Sequence, residues 1–291
     1  MKVRGCLIGL AIGIVLTLLA VGLVSGGAEM FSGSRIGEID ITGTILGSRS
    51  TLNELKKFRK NSSIKAILLR MDSPGGAVAP SQEIYTEVLR TVKVKPVVVS
   101  MGSVAASGAY YIASAATRIL ADPGTLTGSI GVIIHLPNMQ GLFDKVGYKT
   151  VTIKSGQFKD IGDPDREITP AEQALLQSTI DTTYNQFVRD VSRARNLPEA
   201  QVRKIADGRV ILGEDALKFK LIDQIGNYED ALRVAGRLGG IKGEPEVQKA
   251  KKDHSSLLGA LIGGKASERL SQILASPSSG LMYELPGFGT R

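Results

Sequence analysis

The chain has 291 residues, 43% of them hydrophobic, with 34 Gly, one Cys, two His and no Trp. That length suffices for one large domain or two small ones with a real core. A single Cys excludes an internal disulfide framework and a Cys-based zinc site, and two separated His leave little for a metal centre, so neither a metal nor another cofactor is expected. Chemistry must then run on Ser, Lys, Asp, Glu or backbone groups. The 36 basic and 28 acidic residues leave a formal charge of +8. They are spread along the chain with little aromatic interleaving, which argues against a nucleic-acid partner.

Taken in chain order, the first signal is the uncharged stretch 5–28, rich in Leu, Val, Ile, Ala and Gly and flanked by Lys2, Arg4 and Glu29. At about 1.5 Å per residue it is long enough to cross a bilayer core of roughly 30 Å. Gly26, Gly27 and Ala28 would suit cleavage of a secretory leader, but a leader's apolar region runs only about 7 to 15 residues. An uncleaved transmembrane anchor is therefore the favoured reading of residues 1–28. The basic residues ahead of the span put the N-terminus in the cytoplasm and the body of the chain outside it, as a single-pass protein of the cell (inner) membrane. Cys6 lies inside the span and reads as inert.

Residues 29–240 read as one α/β domain. Ile39 and Ile41 alternate with Asp40 and Thr42 as in a strand, and Leu52, Leu55 and Phe58 repeat at helical spacing. The apolar run 64–71 ends at Asp72-Ser73-Pro74-Gly75-Gly76, a strong turn signal. A helix over 82–89, a strand over 96–101 and a second helix from Ser107 follow. Further strands are predicted at 118–121, 130–134 and 149–154, with a helix over 139–146 between the last two. Such alternation argues for parallel strands joined by crossovers. A long helix is predicted over 170–196, with Leu175, Leu176, Ile180, Tyr184, Phe187 and Val191 on one side. Residues 241–256 turn to charge and Gly and read as a linker.

In the remaining stretch, 257–291, Leu257, Leu258, Leu261, Ile262, Leu270, Ile273 and Leu274 fall at helical spacing, on a helix suited to its own domain, a partner subunit or the membrane surface. Gly259 to Ala266 nearly matches a phosphate loop, but Ala266 stands where a magnesium-binding hydroxyl is needed and no strand precedes it. The segment 280–285, Gly-Leu-Met-Tyr-Glu-Leu, has the composition of an extended strand and is expected to pair with an edge near the functional site or across a subunit boundary.

The chemistry centres on Met101-Gly-Ser-Val-Ala-Ala-Ser107-Gly108-Ala-Tyr-Tyr111, which joins a predicted strand to a predicted helix through small residues. A serine there can expose a backbone N–H to a developing oxyanion. The same residues would also serve close packing of helix on sheet. Gly75 and Gly76 stand at the carboxyl end of another strand, where α/β sheets bind ligands, although Pro-Gly is also a common plain turn. Neither His135 nor His254 is placed by pattern to serve such a serine. Lysine is the remaining base, and it works only when burial brings its pKa toward about 7 to 8. From about 10.4, that shift disfavours the charged form by roughly 4 kcal/mol. Lys159 lies in a Gly-containing loop with Phe158 and Ile161 to desolvate it, provided that Asp160, Asp163 and Asp165 face away.

Across nearly the whole chain these motifs, with Thr127-Gly-Ser129-Ile-Gly-Val132 and Ser155-Gly-Gln-Phe-Lys159-Asp-Ile-Gly162, resemble the signal peptide peptidase A family of membrane-anchored serine proteases, within the ClpP/crotonase superfamily. The resemblance implies a repeated ββα spiral domain. Carried over by motif, it makes Ser107 the nucleophile, Lys159 the general base and Ser129 the residue that orients the lysine amine. Gly75 or Gly76 would give one oxyanion N–H and Ser107 or Gly108 the other. It further implies hydrophobic peptide substrates such as remnant signal peptides, contact with membrane lipid and a ring-shaped homo-oligomer. Asp163 departs from the pattern, where a small residue is expected. Two other classes fit parts of the chain: a crotonase-like enzyme acting on acyl thioesters, and a catalytically silent membrane scaffold. A related membrane protease with a stomatin-type substrate is a nearer alternative.

Overall fold

The computed structural model describes residues 33–250 and 282–284. The expected anchor, the phosphate-loop-like segment and the apolar helix of the tail lie outside the described residues. No helix among those described is long and apolar enough to cross a membrane.

The chain runs β1 (Arg35–Thr42), α1 (Arg49–Lys60), β2 (Ile64–Ser73), β3 (Gly75–Ala77), α2 (Val78–Val92), β4 (Val97–Ala106), α3 (Gly108–Ser114), β5 (Arg118–Ala121) and β6 (Leu126–Gly128). It continues through α4 (Gln140–Val146), α5 (Pro170–Arg195), α6 (Glu199–Arg203), β7 (Val210–Leu212), α7 (Gly213–Lys218), β8 (Gln224–Ile225), α8 (Tyr228–Leu238), β9 (Glu246–Lys249) and β10 (Met282–Glu284). An eight-stranded sheet has the order β7-β6-β4-β2-β1-β9, with β5 pairing β4 and β8. Every pairing in it is parallel except β6 with β7. This parallel-rich α/β arrangement fits a ClpP-like fold.

The continuous apolar character of β2 follows from burial on both faces. Ile67, Leu69 and Met71 join the larger core with Val97, Val99, Phe58, Val88 and Phe187, while Ala66 and Leu68 face Val98, Leu120 and the Ala231, Leu232 and Ala235 surface of α8. Arg70, which interrupts the run, lies over the Tyr228 ring at 5.7 Å and donates to Ser100 Oγ at 2.8 Å and Met101 O at 3.1 Å. The long α5 begins where the sequence provides a start signal: Thr169 and Glu172 form a reciprocal capping box around Pro170.

Two predicted strands do not form. Beyond Gly128 the outer edge of β6 is already paired with β7, so residues 130–134 leave the sheet and Ile133 makes only an isolated bridge to Met282. Residues 149–154 have no strand to join, and their Val151 and Ile153 are 87% and 96% exposed. Conversely, the charged stretch read as a linker contains β9, which pairs parallel with β1. Its Glu246 meets Arg35 at 3.0 Å and its Lys249 meets buried Glu38 at 3.0 Å. Charge there serves an exposed sheet edge.

Gly37 sits in β1 directly over Phe58: a Cβ at this position would stand 2.5 Å from the ring. Gly37→Ala should therefore lower the unfolding free energy by about 1–3 kcal/mol through overpacking, read as a reduced midpoint in urea denaturation with an unchanged slope.

Candidate active site

Parallel register brings three sequence-distant segments to one end of the sheet. Ser73 is the partner of Ala105 across β2 and β4, and Ala106 is the partner of Gly128 across β4 and β6. The residues that follow these positions, Gly75 and Gly76, Ser107 and Gly108, and Ser129, meet at the carboxyl ends of the strands.

Ser107 stands at the junction of β4 and α3 with φ 54° and ψ −115°, and it is 1% exposed. A non-glycine residue held there costs of order 1–3 kcal/mol and persists only where its surroundings fix it. Two bonds do so: Ser107 N–H donates to Gly128 O at 2.8 Å, and Ser107 O accepts from Tyr111 N at 2.8 Å. Ser129, also at positive φ (48°) and 4% exposed, donates its N–H to Arg209 O at 2.9 Å. Thr127 Oγ1 donates to Ala105 O at 2.6 Å and Thr125 Oγ1 to Gly102 O at 2.8 Å, so β6 is stitched to β4 by side chains as well as by the ladder.

Of the backbone donors the sequence leaves open, two are engaged. Ser107 N–H goes to Gly128, and Gly75 N–H goes to Ser73 Oγ at 3.2 Å. The Gly76 amide lies in the ladder opposite Tyr283 of β10, and Gly76 and Gly108 adjoin: a Cβ at Gly108 would lie 3.2 Å from Gly76 N. Gly75 (φ 104°) and Gly76 (φ 157°) admit no side chain, since a Cβ would meet Tyr283 O at 2.2 Å or Ile45 O at 2.3 Å.

An aromatic cluster lines the floor beside Ser107. The Tyr111 ring is 4.6 Å from Tyr85, 4.9 Å from Phe187 and 5.4 Å from Tyr283, and Phe187 is 4.7 Å from Tyr283. Burial pushes the Tyr111 hydroxyl far above the usual phenol range, helped by its hydrogen bond to the Asp190 carboxylate. Burial likewise raises Tyr85 to about 12. Sequence reasoning placed Phe187 on the apolar side of a helix and Tyr111 in the serine segment, but gave neither a place in the site. Their signal is tertiary.

Lys159 is not gathered with the others. It is exposed, its hydrogen bond among the described residues is a backbone one to Gly156 O, and none joins its amine to Ser107. It belongs to an excursion, residues 134–168, that stands off the sheet and is bound to the start of α5. There Arg166 grips Glu172, and Asp160 is held by Lys154 at 2.6 Å and by Arg166 at 3.1 Å. Asp163 Oδ1 accepts from Asp165 N at 3.3 Å. The Asp160 and Asp163 carboxylates thus have partners other than the lysine amine. Among the described residues no group of three or more His, Cys, Asp or Glu could hold a metal ion.

The profile of Peptidase family S49 matches residues 90–242, which spans β4 to α8 and so includes Ser107, Ser129 and Lys159. A Synechocystis sp. protein designated protease slr0021 is 42% identical over 231 residues, covering 79% of this chain and 83% of its own. One of Methanocaldococcus jannaschii designated protease MJ0651 is 35% identical over 257 residues, 83% of each chain. An Enterococcus faecium protein designated signal peptide peptidase SppA is 35% identical over 223 residues, 75% of this chain and 63% of its own.

The anchorage of the excursion carries a pH dependence. Hydrogen bonds from the Arg166 guanidinium and then from the Thr169 backbone hold the Glu172 carboxyl down at about 2, against about 4.3 when unfolded. A folded value below the unfolded one means the contribution is complete above about pH 4.3 and is lost as pH falls toward 2. Amide protection over residues 139–166 should therefore drop between pH 6 and pH 3. In Glu172→Gln it should be low at both values.

Proposed function

The chain belongs to peptidase family S49, among the signal peptide peptidase A serine proteases, and from that premise we propose that it is a membrane-anchored endopeptidase acting through a Ser107–Lys159 dyad. The observation that carries the reading is the convergence of a strained, buried Ser107 with Ser129 and the Gly76 and Gly108 amides at the ends of three parallel strands.

In this reading neutral Lys159 takes the Ser107 proton, Oγ attacks a peptide carbonyl, and the Gly76 and Gly108 N–H groups hold the tetrahedral oxyanion. Gly75 shapes the loop that presents Gly76, its own N–H being spent on Ser73. Lys159 then protonates the leaving amine, and water releases the acyl-enzyme. Ser129 orients the lysine amine. No metal or cofactor enters the scheme.

The base reaches Ser107 across a subunit boundary. This is supported by an excursion that carries Lys159 exposed, together with Leu142 (52% exposed), Val146 (67%), Val151 (87%) and Ile153 (96%). Exposed apolar side chains gathered on one excursion suit an interaction site, and docking it on a neighbour would desolvate the lysine as a base requires. A ring-shaped homo-oligomer supplies such a neighbour to every subunit. Residues 1–28 form the anchor, with the N-terminus in the cytoplasm and the protease domain on the far side of the cell membrane. A site tethered there meets hydrophobic peptides, remnant signal peptides among them, at high local concentration. The repeated ββα spiral is the architecture we assign to residues 29–240, and 241–291 carry the charged stretch and the tail.

Ser107→Ala and Lys159→Ala should each reduce cleavage of apolar peptides by about 10³-fold or more, and Ser129→Ala by about 10- to 100-fold. Mixing Ser107→Ala with Lys159→Ala protein under conditions of subunit exchange should restore a measurable part of the activity, because mixed boundaries pair an intact serine with an intact lysine. Retained cleavage in either single variant sinks the dyad. No recovery on mixing, with exchange shown by mass, sinks the shared site and leaves the protease. A crotonase-like enzyme would turn over acyl thioesters with Ser107→Ala intact in activity, and a scaffold would cleave nothing.

A further inference from the structure

Lys159 sits in a loop with little hold of its own. Among the described residues, the backbone bonds inside it are short-range turns: Lys159 N donates to Gly156 O at 3.2 Å, Ile161 N to Phe158 O at 3.2 Å and Asp163 N to Asp160 O at 3.1 Å. Such bonds do not fix where the loop stands relative to the rest of the chain. That falls to the next residue along, because Asp160 is bound through both backbone and side chain to Arg166, and Arg166 is bound to α5.

The Arg166 guanidinium has five N–H donors, and the structure offers them five acceptors. Nε donates to Asp160 Oδ2 at 3.3 Å, Nη1 to Glu172 Oε2 at 2.8 Å and Glu167 O at 3.0 Å, and Nη2 to Glu172 Oε1 at 2.5 Å and Asp160 O at 3.1 Å. A planar fork used on every side cannot be replaced by an ammonium group. Its anchor is firm: Glu172 is 2% exposed and accepts from the Thr169 amide at 2.9 Å and hydroxyl at 3.0 Å in the first turn of α5. Farther along, α5 sets Phe187 and Asp190 against Tyr111 of α3, the helix that Ser107 begins. The lysine loop is thereby fastened to the helix that supports the serine.

Charge at Asp160 matters as much as position. Hydrogen bonds from Lys154 and then Arg166 hold its carboxyl below the usual range, so the residue next to Lys159 is a full anion at neutral pH. Its two oxygens are claimed by Lys154 at 2.6 Å and by Arg166. Arg166, Asp160, Lys154 and Glu172 line an open cavity of about 890 Å³, whose other charged groups are Asp144, Lys149 and Asp165. Asp163 accepts from the Asp165 amide.

We propose that Arg166 is a positioning residue for Lys159: it clamps the Asp160 carbonyl to hold the loop on α5, and it takes up the Asp160 carboxylate that would otherwise pair with the neighbouring lysine amine. The proposal rests on reading Lys159 as the general base. A carboxylate released beside the amine favours its charged form, by about 1–3 pH units at roughly 4–6 Å. A charged amine takes no proton from a serine.

The test uses the full chain and apolar peptide substrates. Arg166→Ala should lower kcat at neutral pH by about tenfold or more and move the acidic limb of the kcat/KM profile toward alkaline pH by about 1 unit or more. A smaller folded fraction would scale that profile without moving it. Adding Asp160→Asn to Arg166→Ala should return the limb to its wild-type position, with kcat still reduced because the carbonyl clamp is gone. Guanidinium chloride, well below concentrations that unfold the chain, can enter the open cavity and should restore part of kcat to Arg166→Ala but none to Lys159→Ala. An unmoved limb in Arg166→Ala, or a moved limb that Asp160→Asn leaves in place, overturns the charge role. Independently of turnover, amide exchange over residues 156–163 should rise when Arg166→Ala is added to Ser107→Ala, with protection over 183–191 retained. Unchanged exchange overturns the clamp. Retained cleavage by Lys159→Ala overturns the dyad instead, and the exchange result then stands as the separate measure of the clamp.

Discussion

Parallel pairing of β4 with β2 on one side and β6 on the other is the constraint on which the rest of the molecule depends. Because the three strands point the same way, their carboxyl ends fall at one rim, and loops far apart in sequence become neighbours there. Register then decides which atoms meet. The shift between Met71 and Ser73 aligns Ser73 with Ala105 and brings the Gly75-Gly76 turn against Gly108. The Gly128 carbonyl, one residue before Ser129, accepts the Ser107 amide. Two serines and two glycine amides are collected by backbone geometry before any side-chain preference acts.

Such a rim has to be stiff, because it holds residues in backbone conformations they do not favour. Ser107 and Ser129 both lie at positive φ, each at a cost of order 1–3 kcal/mol. The offset comes from beneath: Tyr110 and Tyr111 of α3 are fully buried, Tyr110 donates to Leu221 O at 3.1 Å, and Thr125 and Thr127 bond the β4 backbone from β6. Strain at the serine and packing below it are two aspects of one arrangement. The same aromatic layer that fixes α3 also furnishes the floor on which the Tyr283 ring rests.

The residues proposed for the site differ in how they are held. Ser107, Ser129, Gly76 and Gly108 belong to the rigid sheet rim, whereas Lys159 rides on an excursion secured mainly by polar contacts around Arg166 and Glu172 and carrying exposed apolar side chains. In the proposed reading, a protease divided in this way would keep its nucleophile in place in each chain and make the base depend on assembly.

By itself the sequence determined the elements with strong local signals: the apolar strands 64–71 and 96–101, the capped helix that begins at Pro170, the Ser107 turn, and the motif set that marks the family. These rest on periodicity, turn chemistry and residue identity, all of them local. Tertiary structure decided what needs a partner. Residues 130–134 and 149–154 have strand-like composition but no free edge to join, because β7 occupies the one beyond β6. Glu246–Lys249 looks like a linker and becomes an edge strand because β1 offers an edge and Arg35 and Glu38 offer countercharges. That the Gly75 and Ser107 amides are engaged follows from where Ser73 Oγ and Gly128 O lie. That the Tyr283 ring is buried depends on Tyr111 and Phe187, from two helices far apart in sequence. A hydrogen bond or a buried ring is a relation between two places in space, and a sequence carries only one of them at a time.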